Sequence, residues 1–415
     1  MRYALILAAA FAAFLAFSAP ADASRFVRYG LQDDAWIAYG PGTLEGRLNT
    51  LDKMGVKLVR YTLNWHEIEA RKGRYRWDQA DAILRGLDER NIVPVVTIWG
   101  TPRWANGGRS PNWVPRSKWS FAGFARRAAD RYPFVRNWLI WNEPNQRRWL
   151  RPTSPEVYTQ TLLNPAYTAI HRATRGAKVA GGVTAPRAAY KGISPVDFIR
   201  GLDRAGARLD AYAHNPYPLH RLETPTEGGC GHCETITMAT IDRLLREVRK
   251  AFGRKRIWLT EYGYQTNPPD RILGVSRARQ ARHVGEAALR AYQTPYVDML
   301  IHYLYKDEPD TARWQSGLVT VGGSPKPSLQ SMILPFAQLS RRGLTTTVWG
   351  QVRPEDGRER YILQQFRGGD WHSIGGLRTT NRRGYLQRTV KAGPGSMLRL
   401  WYPFDAIASP PLIVR

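Results

Sequence analysis

An α/β fold is predicted for this chain: a (β/α)8 barrel followed by a small antiparallel β domain. Three observations point there. Over residues 26–340 short apolar runs alternate with longer amphipathic ones, the pattern of parallel βα units. The apolar runs number eight, as many as a closed barrel of this kind uses. Beyond residue 340 the text changes to short alternating runs separated by turn residues, the signature of antiparallel strands.

The elements follow in order. Residues 1–23 read as a secretory signal: Arg2, then an apolar run, then Ala21-Asp-Ala23 as an A-x-A cleavage site before Ser24. That run is shorter than the roughly 20 residues a bilayer span needs, so an uncleaved anchor is the weaker alternative. A secreted monomer is expected, extracellular or in the cell envelope, with no membrane span. Strands are expected at 26–31, 56–63, 92–99, 138–142, 178–183, 209–214, 256–261 and 297–305. Helices are expected between them at 44–54, 77–90, 118–131, 155–175, 196–205, 238–252, 276–292 and 328–339. In the second of these, Ala80, Ile83, Leu84 and Leu87 recur at helical spacing, so one face is buried. The barrel is assigned to 24–340 and a β-sandwich-like domain to 341–415, with strands expected at 345–352, 359–366, 370–377, 385–390 and 397–402.

Composition narrows the function. The formal net charge of +27 suggests an anionic surrounding such as a cell wall or acidic polysaccharide. The charge is nearly all arginine and is spread along the chain, which favours a solvated basic surface over one specific anionic ligand. No nucleic-acid module accompanies it, so nucleic acid is not an expected partner. Cys230 and Cys233 are the only cysteines, too few for a disulfide framework. Cys230-Gly-His-Cys233 has three readings: a short disulfide, half a metal site, or a redox pair. Export favours the disulfide, and zinc would need two further ligands that the spacing does not supply. There is no phosphate-binding loop and no dinucleotide fingerprint after the first strand, so no cofactor and no metal are expected.

In such barrels active sites lie on the loops after the strands' carboxyl ends, so a polar residue ending a strand is suspect. Two glutamates meet that condition. Glu143 stands in Asn137-Trp-Leu-Ile-Trp-Asn-Glu-Pro-Asn145, where Pro144 turns the chain out of the fourth strand. Glu261 stands in Arg256-Ile-Trp-Leu-Thr-Glu-Tyr-Gly-Tyr264, at the end of the seventh. Strands four and seven face each other across a barrel. Two converging carboxyls, one protonated and one ionised, are what hydrolysis of a glycosidic bond requires; a salt bridge at the barrel rim is the alternative for either alone. Aromatics crowd the same mouth: Trp99, Trp104, Trp113, Trp119, Trp149, Tyr303 and Tyr305. Their flat faces suit the stacking of sugar rings.

Several segments together resemble the retaining glycoside hydrolases of clan A, families 5 and 39 in particular, over roughly residues 31–340. They are Arg60, Trp65-His-Glu-Ile-Glu-Ala-Arg-Lys-Gly-Arg-Tyr-Arg-Trp77 with Asp81, Trp141-Asn-Glu-Pro-Asn145, His214-Asn-Pro-Tyr217 and Thr260-Glu-Tyr-Gly263. The resemblance implies a TIM barrel with Glu143 as general acid/base and Glu261 as nucleophile. It implies that Asn142 holds the sugar 2-hydroxyl, that Arg60 and Tyr217 hydrogen-bond the nucleophile and keep it ionised, and that His214 lines the same subsite. His302 and Asp307 end the eighth strand where family 5 members often place a tryptophan, and they are candidates for reaching the substrate. His66 and Glu67 are read as supporting or surface residues. The expected activity is double-displacement hydrolysis of a poly- or oligosaccharide, possibly an anionic one. A non-catalytic carbohydrate-binding protein of the envelope and a transglycosylase are the alternatives.

Overall fold

A computed structural model describes residues 27–189, 191–230, 233–354 and 357–415; the leader assigned to 1–23 lies outside them. Eight parallel strands close a barrel in chain order. They are β1 (Arg28–Gln32), β2 (Leu58–Asn64), β3 (Val93–Trp99), β4 (Asn137–Ile140), β5 (Lys178–Thr184), β6 (Ala211–His214), β7 (Arg256–Tyr262) and β8 (Val297–Tyr303). β1 pairs with β8 from Arg28↔Met299 to Gln32↔Tyr303, which leaves the barrel without a free edge.

The strands are buried on both faces, as a parallel barrel requires. Leu58, Val95, Leu139, Ala180, Ala211, Trp258, Met299 and Ile301 fill the interior. A second and larger core lies between strands and helices. The helix Asp78–Asp88 buries Ala80, Ile83, Leu84 and Leu87, the face its spacing marked out.

Among the expected elements of the barrel, three differ notably in extent. The fourth strand stops at Ile140, because Trp141 takes a φ of 71° that ends the ladder and leaves Asn142 and Glu143 on the loop. The helix expected at 155–175 is broken into Pro155–Tyr158, a π-helical turn Thr159–Leu163, and Asn164–Ala173. The helix expected at 328–339 stops at Ile333, since Pro335 disfavours helical geometry in the residue before it. The chain then enters strand β9 (Phe336–Arg342).

The C-terminal region comprises two antiparallel sheets. One joins β9 to β10 (Thr345–Gln351) and β14 (Tyr385–Lys391). The other is built on β11 (Arg360–Arg367), β12 (Asp370–Ser373), β15 (Met397–Tyr402) and β16 (Ile407–Ala408), with β13 (Arg378–Thr379) and β17 (Leu412–Ile413) at its side. β9, β13, β16 and β17 were not expected from the text; the last three are two residues each, too short for alternation to show. These sheets pack on the amino-terminal end of the barrel: Tyr385 Oη donates to the Val27 carbonyl, and Arg353 lies 3.9 Å over the Tyr29 ring. The opposite, carboxyl end stays open. Among the described residues no helix is long and apolar enough to cross a membrane.

Candidate active site

At the carboxyl end of the barrel lies a cleft of about 550 Å³, and both glutamates line it together with Arg60, Trp99, Asn142, Tyr217 and Tyr303. Glu261 comes from within β7 and Glu143 from the loop just past β4. The backbone at Glu143 has a φ of 40°, and its N–H donates to the carbonyl of Val183, itself at φ 47°. Left-handed geometry at non-glycine residues costs roughly 1–3 kcal/mol each. From this turn the Glu143 side chain lines the cleft.

One arginine organises the Glu261 side. Arg60 is 1% exposed and every nitrogen of its guanidinium is engaged. Nε donates to Thr97 Oγ1 at 2.9 Å, Nη1 to Glu261 Oε1 at 2.6 Å and to the Thr260 carbonyl at 3.1 Å, and Nη2 to Asn142 Oδ1 at 2.8 Å. Tyr217 Oη donates to the other Glu261 oxygen at 3.1 Å. Glu261 is therefore held at both oxygens. Asn142 lines the cleft with its carbonyl oxygen committed to Arg60, so its NH2 group is the part of the amide left to donate.

Glu143 is set differently. Asn215 Nδ2 donates to its Oε1 at 3.1 Å, and the Asn215 carbonyl oxygen accepts from Thr260 Oγ1 at 2.8 Å, which fixes the amide's orientation. Burial pushes the Glu143 carboxyl up to about 7 and the neighbouring Glu261 charge pushes the same way, against the pull of Asn215, Arg60 and Trp149. Two carboxyls of one type thus differ in their surroundings: one is clamped by a guanidinium and a tyrosine hydroxyl, the other is raised by burial.

His214 is not among the residues brought together. It is wholly buried, its Nε2 bonded to the Ile236 carbonyl at 3.0 Å and its Nδ1 to Thr184 Oγ1 at 2.8 Å. Burial lowers its pKa to about 4, so it is a neutral strut beneath the cleft. The residue after it, Asn215, is the one that bonds Glu143, while His214 points beneath the cleft. His302 is likewise buried on the Ser316 carbonyl, and Asp307 is paired with Lys326 at 2.7 Å. Neither faces the cleft.

Of the aromatics expected at the mouth, Trp99, Trp149 and Tyr303 line the cleft. Trp104 packs edge-on against Trp65 and donates to the Glu69 carbonyl, Tyr305 lies on Trp36, Trp113 is covered by Arg109, and Trp119 is 70% exposed on an outer helix. The cleft's other large ring is Trp314, stacked on Tyr217 at 4.7 Å. It comes from the long loop after β8, where no periodicity or motif singled it out. Asp34 was missed as well. It follows β1 and accepts from the Thr62 amide at 3.1 Å and Thr62 Oγ1 at 2.8 Å while lining the cleft. The Cys230–Cys233 pair is joined as a disulfide in the loop after β6.

Solved structures share this architecture. A family 39 glycoside hydrolase from the gut symbiont Bacteroides cellulosilyticus WH2 aligns with a TM-score of 0.64 at 17% identity, over 89% of this chain and 81% of its own. The fold is that of a family 39 glycoside hydrolase. A glucosidase from Croceicoccus marinus (TM-score 0.61) and a monomeric beta-xylosidase from Caulobacter crescentus CB15 (0.59) each align at 14% identity over 92% of this chain and 96% of theirs. That coverage exceeds what the barrel alone supplies, so the family 39 likeness extends into the C-terminal sheets. No protein-family model and no curated protein matches the sequence.

Proposed function

We propose that this protein is a retaining glycosidase acting by double displacement. The observation that carries the reading is the division between the two cleft carboxyls: Glu261 clamped at both oxygens by Arg60 and Tyr217, Glu143 held near neutrality by burial. Glu143 delivers its proton to the departing glycosidic oxygen while Glu261 attacks the anomeric carbon. The C–O bond to the leaving group breaks as the glycosyl–enzyme bond forms. Glu143, now a carboxylate, removes a proton from water as that water attacks the same carbon, and Glu261 departs as a carboxylate. Asn142 presents its NH2 to the hydroxyl beside the reacting carbon, and Trp99, Tyr303 and Trp314 supply flat faces for the rings. The likeness to a family 39 glycoside hydrolase and to proteins described as a xylosidase and a glucosidase supports the same chemistry. The signal-like leader supports secretion as its setting.

The test is the configuration of the first product. A panel of aryl glycosides identifies a turned-over glycone, and proton NMR within the first minutes of hydrolysis reads the anomer released. Retention is expected. An inverted first product removes the double-displacement reading, and binding with no release across the panel removes the enzyme.

A further inference from the structure

The cleft is polarised. On the side of β1 and β2 it is lined by Gln32, Asp34, Thr62 and Asn64, groups rich in hydrogen-bond acceptors. Gln32 Oε1 is buried there without a partner among the described residues, and the Asp34 carboxyl, its pKa raised by burial, is bonded to Thr62 at the wall. The nearest cation, Arg60, spends every nitrogen on protein partners. An acceptor-rich wall without a disposable cation suits the hydroxyls of a neutral sugar and offers an acidic one no counter-ion.

The opposite side carries Arg148 and Arg187, from the loops after β4 and β5. Arg148 stands five residues beyond Glu143 with its guanidinium 5.8 Å from the Trp149 ring, and no carboxylate pairs with it among the described residues. Arg187 commits Nη1 to the Leu219 carbonyl at 3.0 Å, and its remaining donors likewise meet no carboxylate among the described residues. The third arginine of the lining, Arg313, has a carboxylate partner, Glu308, at 3.6 Å. Among the described lining residues, the arginines without a carboxylate partner thus lie on the loops after β4 and β5, around Glu143.

Proton donation defines what sits there. Glu143 must approach the leaving oxygen, so the leaving group extends over the loops that carry Glu143, and the ring attacked by Glu261 lies toward β7, β8, β1 and β2. We infer that the enzyme cleaves a neutral glycone from an acidic leaving-group sugar, one bearing a carboxylate or sulfate ester that Arg148 and Arg187 engage over the Trp149 ring. Guanidinium groups recognise such planar or multi-oxygen anions through paired hydrogen bonds. The inference rests on the glycosidase reading and adds the substrate class.

The experiment uses the glycone found with aryl glycosides, linked in three disaccharides to a neutral hexose, the matching hexuronate and a sulfated hexose. Wild-type protein is expected to show kcat/KM at least tenfold higher for one or both acidic disaccharides, falling toward the neutral value as salt rises. In the Arg148→Gln/Arg187→Gln double variant the acidic-to-neutral ratio should drop at least fivefold, whereas Arg148→Lys/Arg187→Lys retains part of it. Because the ratio is taken within one preparation, partial misfolding does not mimic the result. Turnover of aryl glycosides with no acidic preference, or a preference that survives the double Gln variant, overturns this inference and leaves the glycosidase standing. No turnover of any glycoside removes both.

Discussion

At the residue scale, Glu143 concentrates the consequences. A carboxyl raised to about 7 is the proton donor only below that pH, so kcat/KM should fall about tenfold per unit above it. Glu143→Gln should abolish that limb. It should also cost about 10²–10⁴-fold on substrates with poor leaving groups and much less on activated aryl glycosides, whose leaving oxygen needs little protonation. The same titration enters stability. The folded value lies above the ordinary 4.5, so the stabilisation is complete below pH 4.5 and is lost as pH rises through about 7. The loss by pH 8 is of order 3 kcal/mol. Thermal unfolding of the wild type and Glu143→Gln across pH 4–8 checks this: the gap between their midpoints should move in the variant's favour as pH rises.

Site residues were legible to the extent that they sit in short runs ending strands. Arg60, Asn142, Glu143, Tyr217 and Glu261 are all of that kind. Asn215 was within a recognised run and still escaped, because the text does not tell which of two adjacent side chains points into a barrel and which beneath it. Asp34, Trp314, Arg148 and Arg187 lie on loops without periodicity, and loops reveal their direction only once the scaffold holds them.

At the element scale, the ends of β5 and β6 form a hidden support. Thr184 Oγ1 joins Tyr212 Oη at 3.0 Å and His214 Nδ1 at 2.8 Å, all wholly buried, and the Thr184 carbonyl accepts from the Asn215 amide. Gly182, at φ 86°, lets β5 pass beside Tyr212, whose ring atoms a Cβ would meet at 2.5 Å. Thr184→Val keeps the shape and strips the hydroxyl, leaving two buried polar atoms unpaired at about 1–3 kcal/mol. Urea unfolding should register that loss, and kcat should fall with it because Asn215, which holds Glu143, rides on the same turn. The strands themselves were legible as apolar runs. Their ends were not, since Trp141 leaves β4 through a left-handed conformation that no propensity announces.

At the scale of the whole molecule, the C-terminal sheets close the barrel's far end. Tyr292, on the helix Arg277–Gln293, packs 5.4 Å from Trp349 and 4.8 Å from Tyr385, and Arg353 spans the junction to donate to the Met332 carbonyl. A chain ending at Leu334 would expose this aromatic surface and leave β1 without its cover. Such a truncation should be insoluble or should lose its cooperative thermal transition, although every cleft residue is retained; a soluble, active barrel would show the sheets to be dispensable.

By itself the sequence determined the barrel, its antiparallel appendix and the two glutamates, because periodicity and strand-end motifs are local properties written in consecutive residues. Only the tertiary structure decided that His214 is a strut, that Asn215 holds Glu143, and that the cleft is acceptor-rich on one side and cationic on the other. Those are matters of direction and of neighbours far apart in the chain. A side chain's role in a barrel mouth depends on which way its loop is turned and on what the opposite loops leave unpaired.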